Sequence, residues 1–191
     1  MKMMMTKANV AAILAGAALM LAPQGSLAQD KGKSAAAELT SDSQAALQTL
    51  YTTSPLAKAL GPKAEAILVF PKVTKAGLGV GGQFGEGALL QKGKAVGYYN
   101  TAGASVGLQA GAQQFGYAMF FMNANALAQL NNAAGFEVGV GPTVVVMDEG
   151  KAKTMTTTTA KDDIYAFIFG QKGLMAGLGI QGNKITKINP K

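Results

Sequence analysis

Apolar residues in the first third of the chain recur three and four positions apart, and from Ala66 onward they alternate with polar residues or glycine. Ser41 with Gln44 three positions on has the form of a capping box, and Leu47, Leu50 and Tyr51 continue it as one apolar stripe. Ser54-Pro55 opens a second short helix with Leu56, Ala59 and Leu60 on its buried side, and Gly61-Pro62 ends it. The pattern therefore predicts an N-terminal helical hairpin too small to stand without a partner.

The period then changes. Ile67 to Phe70 is a buried strand closed by Pro71, and Gly77-Leu78-Gly79-Val80-Gly81 alternates strictly between large side chains and hydrogen. Turn signals recur at Lys92-Gly93-Lys94, Asp148 to Lys151, Gly170 to Gly173 and Gly182-Asn183. Strands are expected between them at 95–100, 105–110, 117–122, 136–147, 153–159, 164–169, 174–180 and 184–188, joined as antiparallel hairpins. One helix interrupts them, capped by Asn123 and running from Ala124 to Leu130. The expected class is α+β: an antiparallel, glycine-rich sheet curled into a barrel or sandwich. Alternating glycines weaken a strand unless something approaches its bare face. A packed helix, a sharply bent strand or a ligand would each meet that need.

The extreme N-terminus has a different purpose. Lys2 and Lys7 precede an apolar run from Ala8 to Ala22, and Pro23, Gly25 and the small-x-small step Ser26-Leu27-Ala28 follow. This is the three-part form of a secretory signal peptide, so residues 1–28 are expected to be removed and the protein exported. Residues 29–40 form a flexible or loosely helical leader, and 41–191 a single domain. Without Lys2 and Lys7 the chain from Gln29 keeps 15 lysines against 10 acids, a net charge of +5.

Composition narrows the chemistry. Cysteine, histidine and tryptophan are absent, and all 17 basic residues are lysine. Thiolate and imidazole chemistry, disulfides and bidentate arginine recognition are therefore excluded. Gly77-x-Gly79-x-x-Gly82 matches a dinucleotide fingerprint in letters only, since Gln83 to Gly87 does not propagate a helix to hold pyrophosphate. The acid pairs Asp148-Glu149 and Asp162-Asp163 fall at strand ends, where local capping is the expected role, and neither has calcium-loop spacing. The threonine-rich run from Thr154 to Thr159 reads as an exposed or edge strand. The strands are mostly too short, and the aromatics too scattered, for a transmembrane β-barrel. No enzyme, cofactor or metal is expected.

Lysine positions remain. Lys72 and Lys75 flank the first glycine strand, Lys92 and Lys94 sit in the first hairpin turn, and Lys172 precedes the second glycine strand. If the sheet closes, several of them gather at one rim, and ammonium groups beside glycine-rich backbone make an anion-binding surface; from spacing alone, scattered solubilising charge is the equal alternative. Export and the absence of arginine argue against nucleic acid.

From Ala66 the chain resembles the SYLF domain family. The resemblance lies in Ala66-Ile67-Leu68-Val69-Phe70-Pro71-Lys72-Val73-Thr74-Lys75-Ala76-Gly77, the Gly79–Gly87 run, Gly107-Leu108-Gln109-Ala110-Gly111, Gly141-Pro142, and Ile164-Tyr165 through Gly177. Tyr98-Tyr99 stands where the family often carries tryptophan. The resemblance implies a non-enzymatic lipid-binding domain. Eukaryotic members bind phosphoinositides, and yeast relatives also bind and bundle actin. For an exported bacterial protein the expected partner becomes anionic phospholipid, at the periplasm or envelope of a Gram-negative cell, with actin not expected there. The alternative is a structural or protein-interaction module of the envelope with no lipid ligand.

Overall fold

The computed structural model describes residues 25–131, 134–147, 161–173, 180 and 182–190. Helix α1 spans Gly25–Thr53 and α2 spans Pro55–Leu60, followed by a 3-10 turn at Gly61–Lys63. Strand β1 is Ala66–Gln91, β2 Lys94–Phe121, β3 Phe136–Glu137, β4 Val144–Met147, β5 Ile164–Gly173 and β6 Lys184–Ile188, with α3 at Ala124–Gln129. The result is a mixed α+β fold with a curled, half-barrel sheet.

The helical start differs from expectation. α1 runs unbroken through residues 29–40 and through Ser41, so Ser41-Gln44 is not a cap and the expected pair of short helices is one long helix with a short one appended. Ser54 does cap α2, accepting from the Ala57 amide at 3.2 Å. The buried side of α2 is Leu56, Ala57 and Leu60, and Ala59 faces solvent. Asn123 caps α3 as expected, its side-chain oxygen accepting from Ala126 at 2.8 Å.

Short strands merge into a long hairpin. β1 and β2 pair antiparallel from Ala66↔Phe121 to Gln91↔Lys94. Lys92 and Gly93 close the turn with φ of 49° and 79°, the two left-handed residues of a tight hairpin. Pro71 does not end the first strand: the register skips between Phe70 and Val73, a bulge that accommodates a residue without an amide hydrogen. Likewise the expected turn at Gly170 to Gly173 lies inside β5. Gly170 takes φ of 61° there, and the pairing shifts between Gln114 and Gly116. The expected strand at 136–147 is two short strands separated by turns. The strands expected at 153–159 and most of 174–180 lie outside the described residues.

β2 organises the sheet. One edge pairs with β1, while the other pairs with β6 through Tyr98–Ala102 and with β5 through Gln113–Phe121. β3 extends β6, and β4 joins β5 in the only parallel pairing among the described strands. The hairpin bends sharply near Gly77, where a Cβ would meet the Gly81 Cα, and β1 returns onto itself. A Cβ on Gly85 would stand 2.8 Å from the Lys72 carbonyl oxygen, and one on Gly87 would strike the Val69 carbonyl. Of the three partners considered for the glycine faces, a sharply bent strand is the one found at Gly85 and Gly87. Curling gives two cores: Leu68, Phe70, Tyr117, Met119 and Ile164 fill the concave side. Leu47 and Leu50 of α1, with Leu56 and Leu60 of α2, cover Val69, Phe120 and Phe167 on the convex side.

Candidate functional site

Two bulges bring two lysines to one groove. Lys72 lies in the bulge of β1, where the pairing skips from Phe70↔Tyr117 to Val73↔Phe115. Lys172 follows the Gly170 bulge of β5 and pairs with Gln114. The lysines thus flank β2 from opposite sides, and both are exposed. Between them is an open cavity of about 300 Å³, floored by Pro71, Phe169 and Gly116 and walled by Thr49 of α1. An anion seated in this recess would be attracted by both ammonium groups.

The other three expected lysines lie elsewhere. Lys75 is only 5% exposed. It follows Val73 on the inward-facing positions and pairs with the buried Gln113, so it points away from any surface ligand. Lys92 and Lys94 are exposed at the hairpin turn, past the end of the returning leg of β1; Gln44 of α1 donates to the intervening Gly93 carbonyl at 2.8 Å. The rim expected from sequence therefore contains Lys72 and Lys172 and not the remaining three.

The concave side also holds polar residues that the sequence reading missed. Gln83 donates to Asn183, which donates in turn to the Thr101 hydroxyl at 3.4 Å, all three buried. Gly103 has no Cβ because one would strike the Asn183 oxygen. Their signal was the alternation itself: Gln83 and Gln113 occupy the inward phase of strands whose other inward residues, apart from Lys75 and Thr101, are mainly apolar or glycine.

The described acid pair serves the framework. Asn123 donates to the Asp163 carboxylate at 2.7 Å, while the Asp162 amide and carboxylate both engage the Tyr165 hydroxyl, at 2.7 and 3.1 Å. Burial pushes the Tyr165 hydroxyl above the ordinary tyrosine range; the Asp162 amide opposes this and the Asp162 carboxylate adds to it. Burial raises Tyr117 much further, and its hydroxyl has no hydrogen-bond partner. No cluster of acidic residues that could hold a metal occurs among the described residues. Asp148-Glu149 and the run from Thr154 to Thr159 lie outside them.

Residues 102–190 match the family model described as Ysc84, Las17-binding protein actin regulator. The match is to the SYLF domain family and covers a little under half of the chain. No curated protein matches the chain. The matched SYLF region begins within β2 and includes Lys172, whereas Lys72 is contributed from the N-terminal side of it. The groove is therefore built jointly by the matched region and by the helices and long strand that precede it. No helix among the described residues is long and apolar enough to cross a membrane.

Proposed function

We propose that this protein is a non-enzymatic, exported lipid-binding module that recognises the phosphate of anionic phospholipid head groups in the Lys72–Lys172 groove. The observation carrying this reading is the meeting of two exposed lysines across β2 over an apolar floor. A phosphodiester fits such a recess because the ammonium groups supply its counter-charge, while Phe169 and Pro71 offer apolar surface to the glycerol beyond it. The match to the SYLF family supports lipid as the ligand class, and the N-terminal pattern of Lys2, Lys7 and Ala8 to Ala22 supports export. Flotation with phosphatidylglycerol-containing vesicles tests it. Binding should require the anionic lipid, weaken with salt and fall on K72E/K172E; binding that ignores lipid charge or this double substitution rejects it.

The family description, an actin regulator that binds Las17, favours a second reading as a protein-binding module. Co-sedimentation with filamentous actin in the absence of lipid would support that reading.

A further inference from the structure

An apolar corner stands beside the groove. Val80 is 68% exposed and Phe84 51%, both on β1 just past the Gly77 bend. Gly85 lies against the Lys72 carbonyl and Val73, so Phe84, one residue earlier, emerges beside the Lys72–Thr74 segment. Cross-strand pairing extends this neighbourhood both ways. Phe84 pairs with Ala102 and Ala102 with Lys184; Thr74 pairs with Gln114 and Gln114 with Lys172. These six residues are all exposed. At about 4.8 Å per strand, Lys172 is about 10 Å from Thr74, within reach of one lipid head group and its neighbour. The exposed face thus has Phe84 and Val80 at its centre, Lys184 on one side, and Lys72 and Lys172 on the other. Its acids are Glu86, next along β1, and Glu137, beyond Lys184 on β3.

We propose that this corner inserts into the bilayer: Val80 and Phe84 enter the interfacial layer of an anionic membrane while Lys72, Lys172 and Lys184 reach the surrounding phosphates. The proposal rests on the lipid reading above and extends it from head-group recognition to insertion. Charge selects the occupant. A second copy meeting this face about a two-fold axis would set lysines against lysines, whereas an anionic bilayer offers both the hydrocarbon for Phe84 and the counter-charge for the rim.

The absence of tryptophan makes the test direct. F84W, with V80W as a second variant, places a single indole at the corner, and V96W places one at an exposed valine beside the Lys92–Gly93 turn, itself 52% exposed. With equimolar phosphatidylglycerol–phosphatidylcholine vesicles, F84W and V80W emission should shift to the blue and be quenched by lipids brominated high on the acyl chain, while V96W does neither. F84S should lower vesicle partitioning by about tenfold. Sedimentation with the vesicles while both corner indoles stay unshifted would overturn insertion and leave head-group binding standing. No sedimentation would overturn both. A blue shift that follows protein concentration without vesicles would assign the face to self-association and overturn the proposal.

Discussion

Ser43 donates its hydroxyl proton to the Val69 carbonyl at 3.2 Å, 26 residues away in sequence. The same oxygen accepts from the Ala88 amide at 3.2 Å, so one side chain of α1 joins the outgoing and returning legs of β1. Ser43 is fully buried, and water cannot replace it. Two further contacts tie α1 to the returning side of the hairpin: Thr40 with the Tyr98 hydroxyl at 3.0 Å, and Gln44 with Gly93. α1 thus bridges a bent sheet whose two legs meet without a ladder of their own.

Replacing Ser43 by alanine should leave a buried amide and a buried carbonyl without this partner. The expected cost is about 1–3 kcal/mol, or a drop of several degrees in melting temperature for a chain of this size. Thermal unfolding followed by circular dichroism measures it. An S43A melting temperature equal to wild type would show that the seam does not depend on this hydroxyl.

Glycines in β1 should divide sharply by position. G87A and G85A would drive a methyl group into the backbone of the outgoing leg and should destabilise by at least about 1–3 kcal/mol. At Gly82 the nearest atom to a new Cβ is the Gly103 carbonyl, 3.8 Å away. G82A should therefore be neutral or stabilise by up to about 1 kcal/mol. Urea denaturation of the three variants checks the order, and equal destabilisation would contradict the bend.

Much of this was legible in the sequence. Asn123, Ser54 and Lys92-Gly93 each announce their local structure because caps and tight turns depend on a few adjacent residues. The glycine run likewise announced a close approach. What failed were the boundaries. Pro71 and Gly170 look like strand ends, yet each is absorbed as a bulge because pairing with β2 continues on both sides. The site was half legible for the same reason. Lys72 and Lys172 are 100 residues apart in sequence, and only the two bulges and the central position of β2 bring them together. Lys75 was misplaced because a lysine in a strand gives no sign of which face the curled sheet will bury.

The lysines should accordingly separate in mutagenesis. K72A and K172A are each expected to lower partitioning onto anionic vesicles by about fivefold, the equivalent of about 1 kcal/mol per lysine. K92A/K94A, at the other end of β1, should leave partitioning within twofold of wild type. K75A should instead lower the urea midpoint, because its side chain is buried in the fold. Vesicle sedimentation and denaturation on the same preparations distinguish the three classes. A larger binding loss for K92A/K94A than for K72A/K172A would move the site to the hairpin turn.

Alkaline stability provides a test of the concave core. Burial raises Tyr117 far above the ordinary tyrosine value, and raises Tyr99, Tyr51 and Tyr165 as well. The unfolded chain releases these protons near pH 10, while the folded chain holds them. Stability from this source is therefore complete below about pH 10 and falls as pH rises toward the folded-state values, by up to about 1.4 kcal/mol per pH unit for each tyrosine. Tyr117 stacks on Phe70 with ring centroids 5.4 Å apart, but its hydroxyl is unpartnered. Y117F keeps the ring and removes both the orphan hydroxyl and its proton. It should be at least as stable as wild type at pH 8 and lose stability less steeply above pH 10, its slope smaller by about one proton. A Y117F variant markedly less stable at pH 8 would mean that the hydroxyl has a stabilising partner in solution.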